Sequence, residues 1–350
     1  MMLSNKIFCI NQLKNLNYRV LSAAMISTNS KKFKVYVTQP IPKEAESIMH
    51  SNNIELIINQ NTPLKRDLLL QNVKDIDGIF CTLNEKIDKE ILETAGASLK
   101  VIGTCSVGYD HIDINECKKR NIPVGYTPGV LTDASAELTV GLLLNTTRRI
   151  SEAINAAKTG EWADWKIMWM CGRGLSGSNV GIFGLGRIGL AVANRLKNFG
   201  VNKIIYHNRK PNEEGAKQGY EYVDLDTLLS QSDFLIVTCS ATKETEKFFN
   251  LEKFKKMKKS AVFVNVSRGS VVNQEDLCVA LKDNLIAAAG LDVTTPEPLP
   301  LDHELLKLRN CFITPHICSA EVNTRVKMAV ITANNISLGL QNKALLHQIN

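Results

Sequence analysis

The segment Val180-Gly-Ile-Phe-Gly184-Leu-Gly186-Arg187-Ile188-Gly189 constrains this chain more than any other. A short apolar run enters three glycines spaced G-x-G-x-x-G. Ile188, Val192, Leu196 and Phe199 then recur at helical spacing until Gly200. That order reads as strand, tight turn and helix, with a glycine to stop the helix. Gly184 permits the turn, Gly186 lets the backbone approach a pyrophosphate, and Gly189 allows close packing of helix on strand. The helix start, at Arg187 and Ile188, offers unpaired N–H groups and positive potential to the phosphates. The segment is therefore expected to bind a dinucleotide within a parallel α/β sheet.

The rest of the chain agrees with such a sheet. Strand-like runs occur at Lys34–Thr38, Glu55–Ile58, Asp77–Cys81, Lys100–Thr104 and Pro123–Tyr126, with helical stretches such as Lys43–His50 and Lys86–Ala95 between them. A long helix is expected over Asp133–Arg149, capped by Asp133, with Leu138, Leu142 and Leu143 on one face. A loop-like stretch over Thr159–Ser178 holds all three tryptophans, Trp162, Trp165 and Trp169, as core anchors or as part of an interface or pocket. A second alternating series follows, with strands at Val180–Phe183, Lys203–Tyr206, Phe234–Thr238, Ala261–Val266, Ile286–Leu291 and Phe312–Thr314. The last helix, Ser319–Gln341, carries the stripe Val322, Val326, Ala329, Ala333, Ile336 and Leu340. With 350 residues, the chain is expected to form two doubly wound units.

The formal charge of +7 suggests a nucleic-acid partner until it is located. Residues 1–42 carry Lys6, Lys14, Arg19, Lys31, Lys32 and Lys34 and no acid. The other 308 residues hold 36 bases against 35 acids. A near-neutral body argues against nucleic acid, even though Lys253–Lys259 gathers five lysines. The acid-free tail, residues 1–32, has the composition of a mitochondrial transit peptide; a disordered extension, or an upstream start with Met25 as a second initiation site, is the alternative. No apolar run reaches the ~20 residues of a membrane-spanning helix. The nine cysteines form no C-x-x-C pair and no ligand-spaced cluster with histidine. They read as free thiols in a reducing, cytoplasmic setting, with no metal site.

Cofactor choice is expected to show at the end of the strand after the glycines. An acid there would bind the ribose 2′-hydroxyl of NAD. This chain reads Ile205-Tyr-His-Asn208-Arg209-Lys210, with no acid before Glu213. Arg209 and Lys210 suit a 2′-phosphate and Asn208 a hydrogen bond to it. NADP(H) is therefore favoured over NAD(H), unless both cations are plain loop charges.

Three further segments follow strands of the second unit, where doubly wound sheets place ligands. They are Asn265-Val-Ser-Arg268-Gly-Ser, Gly290-Leu-Asp292-Val-Thr-Thr-Pro-Glu297-Pro and Thr314-Pro-His316-Ile-Cys318-Ser319-Ala. With Gly103-Thr-Cys-Ser-Val107-Gly108-Tyr-Asp-His-Ile-Asp, Gly125-Tyr-Thr-Pro-Gly, Trp165-Lys-Ile-Met-Trp-Met-Cys-Gly and Ser267-Arg-Gly-Ser-Val-Val-Asn, the chain resembles the D-isomer-specific 2-hydroxyacid dehydrogenases over about residues 33–341. Within them it is most similar to the glyoxylate/hydroxypyruvate reductases.

The resemblance implies reduction of small 2-oxoacids, glyoxylate to glycolate and hydroxypyruvate to D-glycerate. His316 matches the family's acid/base, a role that suits a side chain whose proton exchanges near neutral pH. Glu297 matches its carboxylate partner. Arg268 matches the planar donor that binds the substrate carboxylate and polarises the carbonyl. Val107 and Gly108 match the backbone loop that cradles that carboxylate, and Ser319 falls beside the histidine on the substrate side. Asp292 matches a residue near the nicotinamide carboxamide. Ser240 and Val266 match residues lining the cofactor, and Cys318 stands at a further position beside it. Trp165 matches an aromatic that enters the partner subunit's pocket, which implies a homodimer. The implied fold is a flavodoxin-like substrate domain (33–126, completed by 315–350) interrupted by a Rossmann cofactor domain (127–314).

Each residue also has an ordinary structural reading. His50, His207, His303 and His347 are read as core or surface histidines, and His111 as support for its turn. Arg268 has the alternative of a structural ion pair, Glu297 of a surface carboxylate. Asp292, Ser240 and Val266 have that of plain strand-end residues. Cys318 departs from the glycine usual at its position, and a glycine there would suggest close cofactor approach or an unusual backbone angle. A cysteine there is either tolerated or makes the site oxidisable. Two other functions share these motifs: a dinucleotide-sensing corepressor and a dehydrogenase for another acid such as 3-phosphoglycerate. Formate oxidation is disfavoured, because it uses glutamine where Glu297 stands.

Overall fold

The computed structural model describes residues 32–350. The targeting expectation for the tail falls outside the described residues. Twelve strands are present among the described residues, β1 (Phe33–Val37), β2 (Ile54–Ile58), β3 (Gly78–Cys81), β4 (Val101–Thr104), β5 (Val124–Gly125), β6 (Asn179–Phe183), β7 (Lys203–His207), β8 (Glu221–Tyr222), β9 (Phe234–Val237), β10 (Val262–Asn265), β11 (Ala288–Leu291) and β12 (Cys311–Ile313). They form a five-stranded sheet in the order β2-β1-β3-β4-β5 and a seven-stranded sheet in the order β12-β11-β10-β9-β6-β7-β8. Every named strand pair is parallel. Both are therefore doubly wound sheets, with switch points at β1/β3 and β6/β9.

The central strands are apolar on both faces because helices cover both. On the first sheet, Val35, Val37, Phe80 and Val101 share a core with Ala329, Ala333, Ile336 and Leu340 of the helix Val322–Leu340. Tyr36, Ile79, Cys81 and Ile102, one residue out of phase, pack into the opposite face. On the second sheet, Val180, Ile182, Phe234, Ile236 and Val264 pack with Val140 and Leu143 of the helix Thr132–Thr147. Leu235, Val237, Phe263 and Leu291 fill the other side. The chain thus returns at its end to the first sheet. There Gly125 bridges Gln348 in antiparallel fashion, and the Asn350 side chain accepts the Val124 N–H at 2.9 Å. These contacts cover an edge strand. No helix among the described residues is long and apolar enough to cross a membrane.

Several expected elements are corrected. The helix expected over Asp133–Arg149 runs Thr132–Thr147. Arg149 adopts a left-handed backbone (φ 56°) and starts a second helix, Ile150–Thr159, that apolar spacing did not reveal. Asp133 does not cap; it pairs with Arg195 at 2.9 Å. The helix expected from Lys86 begins at Lys89, where the Asp88 side chain accepts the Ile91 N–H. The strand expected from Ile286 begins at Ala288, and the two-residue β8 is too short to show a strand pattern. Val322 and Phe199 leave their apolar stripes and are exposed. The tryptophans are not core anchors: Trp162 and Trp165 are 65 % and 76 % exposed.

Candidate active site

The glycine turn sits at the β6/β9 switch point. Gly184 has φ +100° and lies against the Cys239 backbone, where a side chain has no place. A β-carbon on Gly189 would lie 2.6 Å from the Gly184 carbonyl, so helix and strand pack close. Gly186, by contrast, faces open space. It caps the helix Arg187–Leu196, and the N–H groups of Arg187 and Ile188 meet no acceptor among the described residues. Space above Gly186 and free donors behind it fit a dinucleotide pyrophosphate.

At the end of β7, Arg209 and Lys210 are exposed and make no ion pair with any described residue. The charge of Arg209 reaches Glu244. Asn208 also bonds within the chain. Its Oδ1 accepts the Leu185 N–H at 2.6 Å and its Nδ2 donates to the Leu185 carbonyl at 3.3 Å, so it braces the glycine turn. Asn212 donates to the same carbonyl at 2.8 Å. Ser240 and Val266 lie just past β9 and β10. The Ser240 carbonyl accepts the Thr245 hydroxyl, and the Val266 N–H donates to Val237.

Three turns at the carboxyl ends of β10, β11 and β12 bring Arg268, Glu297 and His316 together. Asn265 shapes the first: its Oδ1 accepts the Ser267 N–H at 3.0 Å and its Nδ2 donates to the Arg268 carbonyl at 2.9 Å. Gly269 then abuts the Thr294 backbone with no room for a β-carbon. The Thr294 N–H donates to Glu297 Oε1 at 3.0 Å, and Glu297 Oε2 lies 2.8 Å from His316 Nδ1. Asp292, 1 % exposed, holds the histidine turn from below. Its carboxylate accepts the Thr314 hydroxyl at 2.6 Å and the N–H groups of Ile317 and Cys318, each at 2.9 Å. His316 itself has φ 53°, a sparsely used conformation for a residue with a side chain. Asp292 and the surrounding bonds are what hold it there.

The loop after β4 meets this cluster. Arg268 stands over Gly108, which has no room for a β-carbon beneath the guanidinium. Arg268 Nε donates to Asp110 Oδ1 at 3.1 Å. The N–H groups of Val107 and Gly108 meet no acceptor among the described residues. One guanidinium thus stands beside two backbone donors that have no acceptor among the described residues, groups that suit a carboxylate. Behind them His111 Nε2 lies 3.0 Å from the Thr104 hydroxyl. Asp110 and Thr294 carry no signal in the sequence, whereas Asn265, two residues before the Ser267-Arg268 pair, is a turn signal.

Burial works to raise the Glu297 pKa, but the hydrogen bond and charge of His316, the Thr294 N–H and the charge of Arg268 together hold it below the usual carboxylate value. Burial pushes His111 down to about 4, with Asp110 opposing and Arg268 reinforcing. Burial and then the Asp292 charge push the Cys318 thiol far up. Cys318 is buried and is not among the residues with positive φ, so the backbone there does not require glycine. A buried, protonated thiol is also poorly reactive, which favours a tolerated cysteine over an oxidisable site. The Ser319 carbonyl accepts Arg325 Nε at 3.1 Å beside the histidine turn. Trp165 makes no ring contact with another aromatic among the described residues.

Residues 140–318 match the family model described as D-isomer specific 2-hydroxyacid dehydrogenase, NAD binding domain. The chain belongs to the D-isomer-specific 2-hydroxyacid dehydrogenases. It is 51 % identical over 315 residues to the glyoxylate reductase/hydroxypyruvate reductase of Mus musculus, covering 89 % of this chain and 96 % of that protein. It is 46 % identical over 308 residues to the glyoxylate reductase of Thermofilum pendens, covering 87 % and 90 %. Among solved structures, it is similar to the NADPH-dependent glyoxylate/hydroxypyruvate reductase of Sinorhizobium meliloti in complex with NADP and malonate. The TM-score is 0.78 and the identity 31 %, over 91 % of this chain and 97 % of that one. This dehydrogenase therefore carries the family's two parallel α/β sheets.

Proposed function

We propose that this dehydrogenase reduces glyoxylate to glycolate and hydroxypyruvate to D-glycerate with NADPH. The observation that carries the reading is the His316–Glu297 contact, 2.8 Å long, closed against the Arg268 turn through Gly269 and Thr294. When bound, the dinucleotide supplies hydride to C2 of the oxoacid. Arg268 with the Val107 and Gly108 N–H groups binds the carboxylate, and the guanidinium draws charge from the adjacent carbonyl. His316 Nε2, which bonds no described residue, donates the proton to the carbonyl oxygen. Glu297 fixes the ring through Nδ1 and offsets its positive charge. Ser319 lies within the same wall, and Ser240, Val266 and Asp292 line the cofactor side.

The cofactor reading rests on Gly184, Gly186 and Gly189, on the free N–H groups of Arg187 and Ile188, and on Arg209 and Lys210 as cations for a 2′-phosphate. Asn208 braces the turn and keeps one Nδ2 hydrogen for the phosphate, and Cys318 contacts through its backbone. We assign residues 33–126 with 315–350 to a substrate domain and 127–314 to a cofactor domain, with hinge closure between them. The exposed Trp162, Trp165, Ile167 and Met168, each at least 65 % accessible, form an apolar surface suited to a second copy of this chain. Trp165 enters that copy's pocket. The cytoplasm is the proposed compartment, with mitochondrial import of a tailed fusion as the result that would change it.

The test compares kcat/KM for NADPH and NADH on glyoxylate, hydroxypyruvate and pyruvate. Fast NADPH-dependent turnover of the first two supports the reading. Tight NADPH binding without turnover points instead to a dinucleotide sensor.

A further inference from the structure

Arg268 reaches out of its own sheet. It follows β10, whereas Asp110, which accepts its Nε–H at 3.1 Å, follows β4 of the other sheet, 158 residues away. Nη1 donates to the Ser267 carbonyl at 2.9 Å. A guanidinium has five N–H donors in one rigid plane. Two are thus held, one from each side of the cleft. The second Nη1 hydrogen and both on Nη2 meet no acceptor among the described residues, and Nη2 stands over Gly108. Anchoring two donors fixes the plane and leaves Nη2 beside Gly108, whose N–H, like that of Val107, meets no acceptor among the described residues.

The Asp110 side chain is 48 % exposed against 22 % for Arg268. An exposed ion pair of this kind contributes little to stability. Its consequence lies in orientation: an arginine free to swing would meet a carboxylate in many poses, of which few are bidentate.

We propose that Asp110 is a positioning residue for the oxoacid carboxylate, acting through Arg268. The proposal rests on the reading of Arg268 as the carboxylate-binding group. Asp110 turns the guanidinium so that its Nη edge faces substrate, and it ties the loop of one sheet to the loop of the other across the cleft.

A double-mutant cycle on the full chain tests this, with KM for glyoxylate, kcat, NADPH Kd and thermal midpoint read for Asp110→Ala, Asp110→Asn, Arg268→Ala and the double variant Asp110→Ala with Arg268→Ala. Asp110→Ala is expected to raise KM on the order of tenfold, with NADPH Kd and thermal midpoint unchanged. Asp110→Asn keeps an oxygen for the Arg268 Nε–H and is expected to recover most of that loss. In the Arg268→Ala background, Asp110→Ala is expected to add nothing. The full loss appearing in both backgrounds, an unchanged KM in Asp110→Ala, or a parallel loss of NADPH binding would overturn the proposal. An unchanged KM in Arg268→Ala overturns the assignment of Arg268 itself, and this one with it.

Discussion

His316 Nδ1 and Glu297 Oε2 lie 2.8 Å apart, and the other Glu297 oxygen is held by the Thr294 N–H at 3.0 Å. The carboxylate is therefore fixed at both oxygens and orients the ring. Glu297→Gln removes the charge and keeps the shape. It is expected to lower kcat for reduction by about 10-fold to 100-fold, part of the roughly 10²–10⁴ that a positioned acid–base group supplies. NADPH affinity should stay unchanged by fluorescence titration. Because Glu297 sits below the ordinary carboxylate value, its pairing stabilises the fold at neutral pH. That contribution is lost as pH falls through the lowered value.

His111 makes the opposite kind of group sensitive in the same direction. Burial holds it at about 4 against 6.5 in the unfolded chain, so it folds neutral. Between those values the unfolded chain binds the extra proton, and stability rises with pH. Stability present above pH 6.5 is expected to fall progressively down to about pH 4, by about 3 kcal/mol at 1.36 kcal/mol per unit. Urea unfolding at a series of pH values reads this slope, and His111→Asn should flatten it.

Arg209 and Lys210 are exposed cations at the end of β7, with no acid beside them in sequence before Glu213. Replacing both by alanine is expected to weaken NADPH binding by about tenfold or more, one charge-assisted contact being worth about 1.5–3 kcal/mol. NADH binding should be nearly unaffected. Equal losses for the two dinucleotides would show that these cations do not meet a 2′-phosphate.

Cys318 is buried with its thiol pushed far up, whereas Cys171 is exposed. Brief alkylation of the folded protein followed by mass spectrometry should label Cys171 and leave Cys318 unmodified until denaturant is added. Cys318→Gly should retain activity, since the Asp292 contact uses the Cys318 backbone N–H.

What could be read from the sequence follows the range of the interactions concerned. The glycine turn and the parallel strands declare themselves because each glycine and each apolar run answers to its neighbours. The break at Arg149 does not, since the residues on both sides suit a helix and only a left-handed backbone at one position ends it. The Asn208 side chain is equally opaque. Strand-end asparagine suits a ligand as well as it suits the Leu185 backbone that it bonds. Arg268, Glu297 and His316 were legible as a set because three turns follow three strands of one sheet. Asp110 was not, because its partner lies on the other sheet.

In the proposed mechanism His316 delivers the proton during NADPH-dependent reduction of a 2-oxoacid. The most direct measurement is NADPH oxidation with glyoxylate and hydroxypyruvate by the wild-type enzyme and His316→Ala, alongside NADPH affinity of both. Turnover of both substrates by the wild type, a loss of at least about 10² in kcat for His316→Ala, and unchanged NADPH affinity are expected. Undiminished turnover by His316→Ala would contradict it.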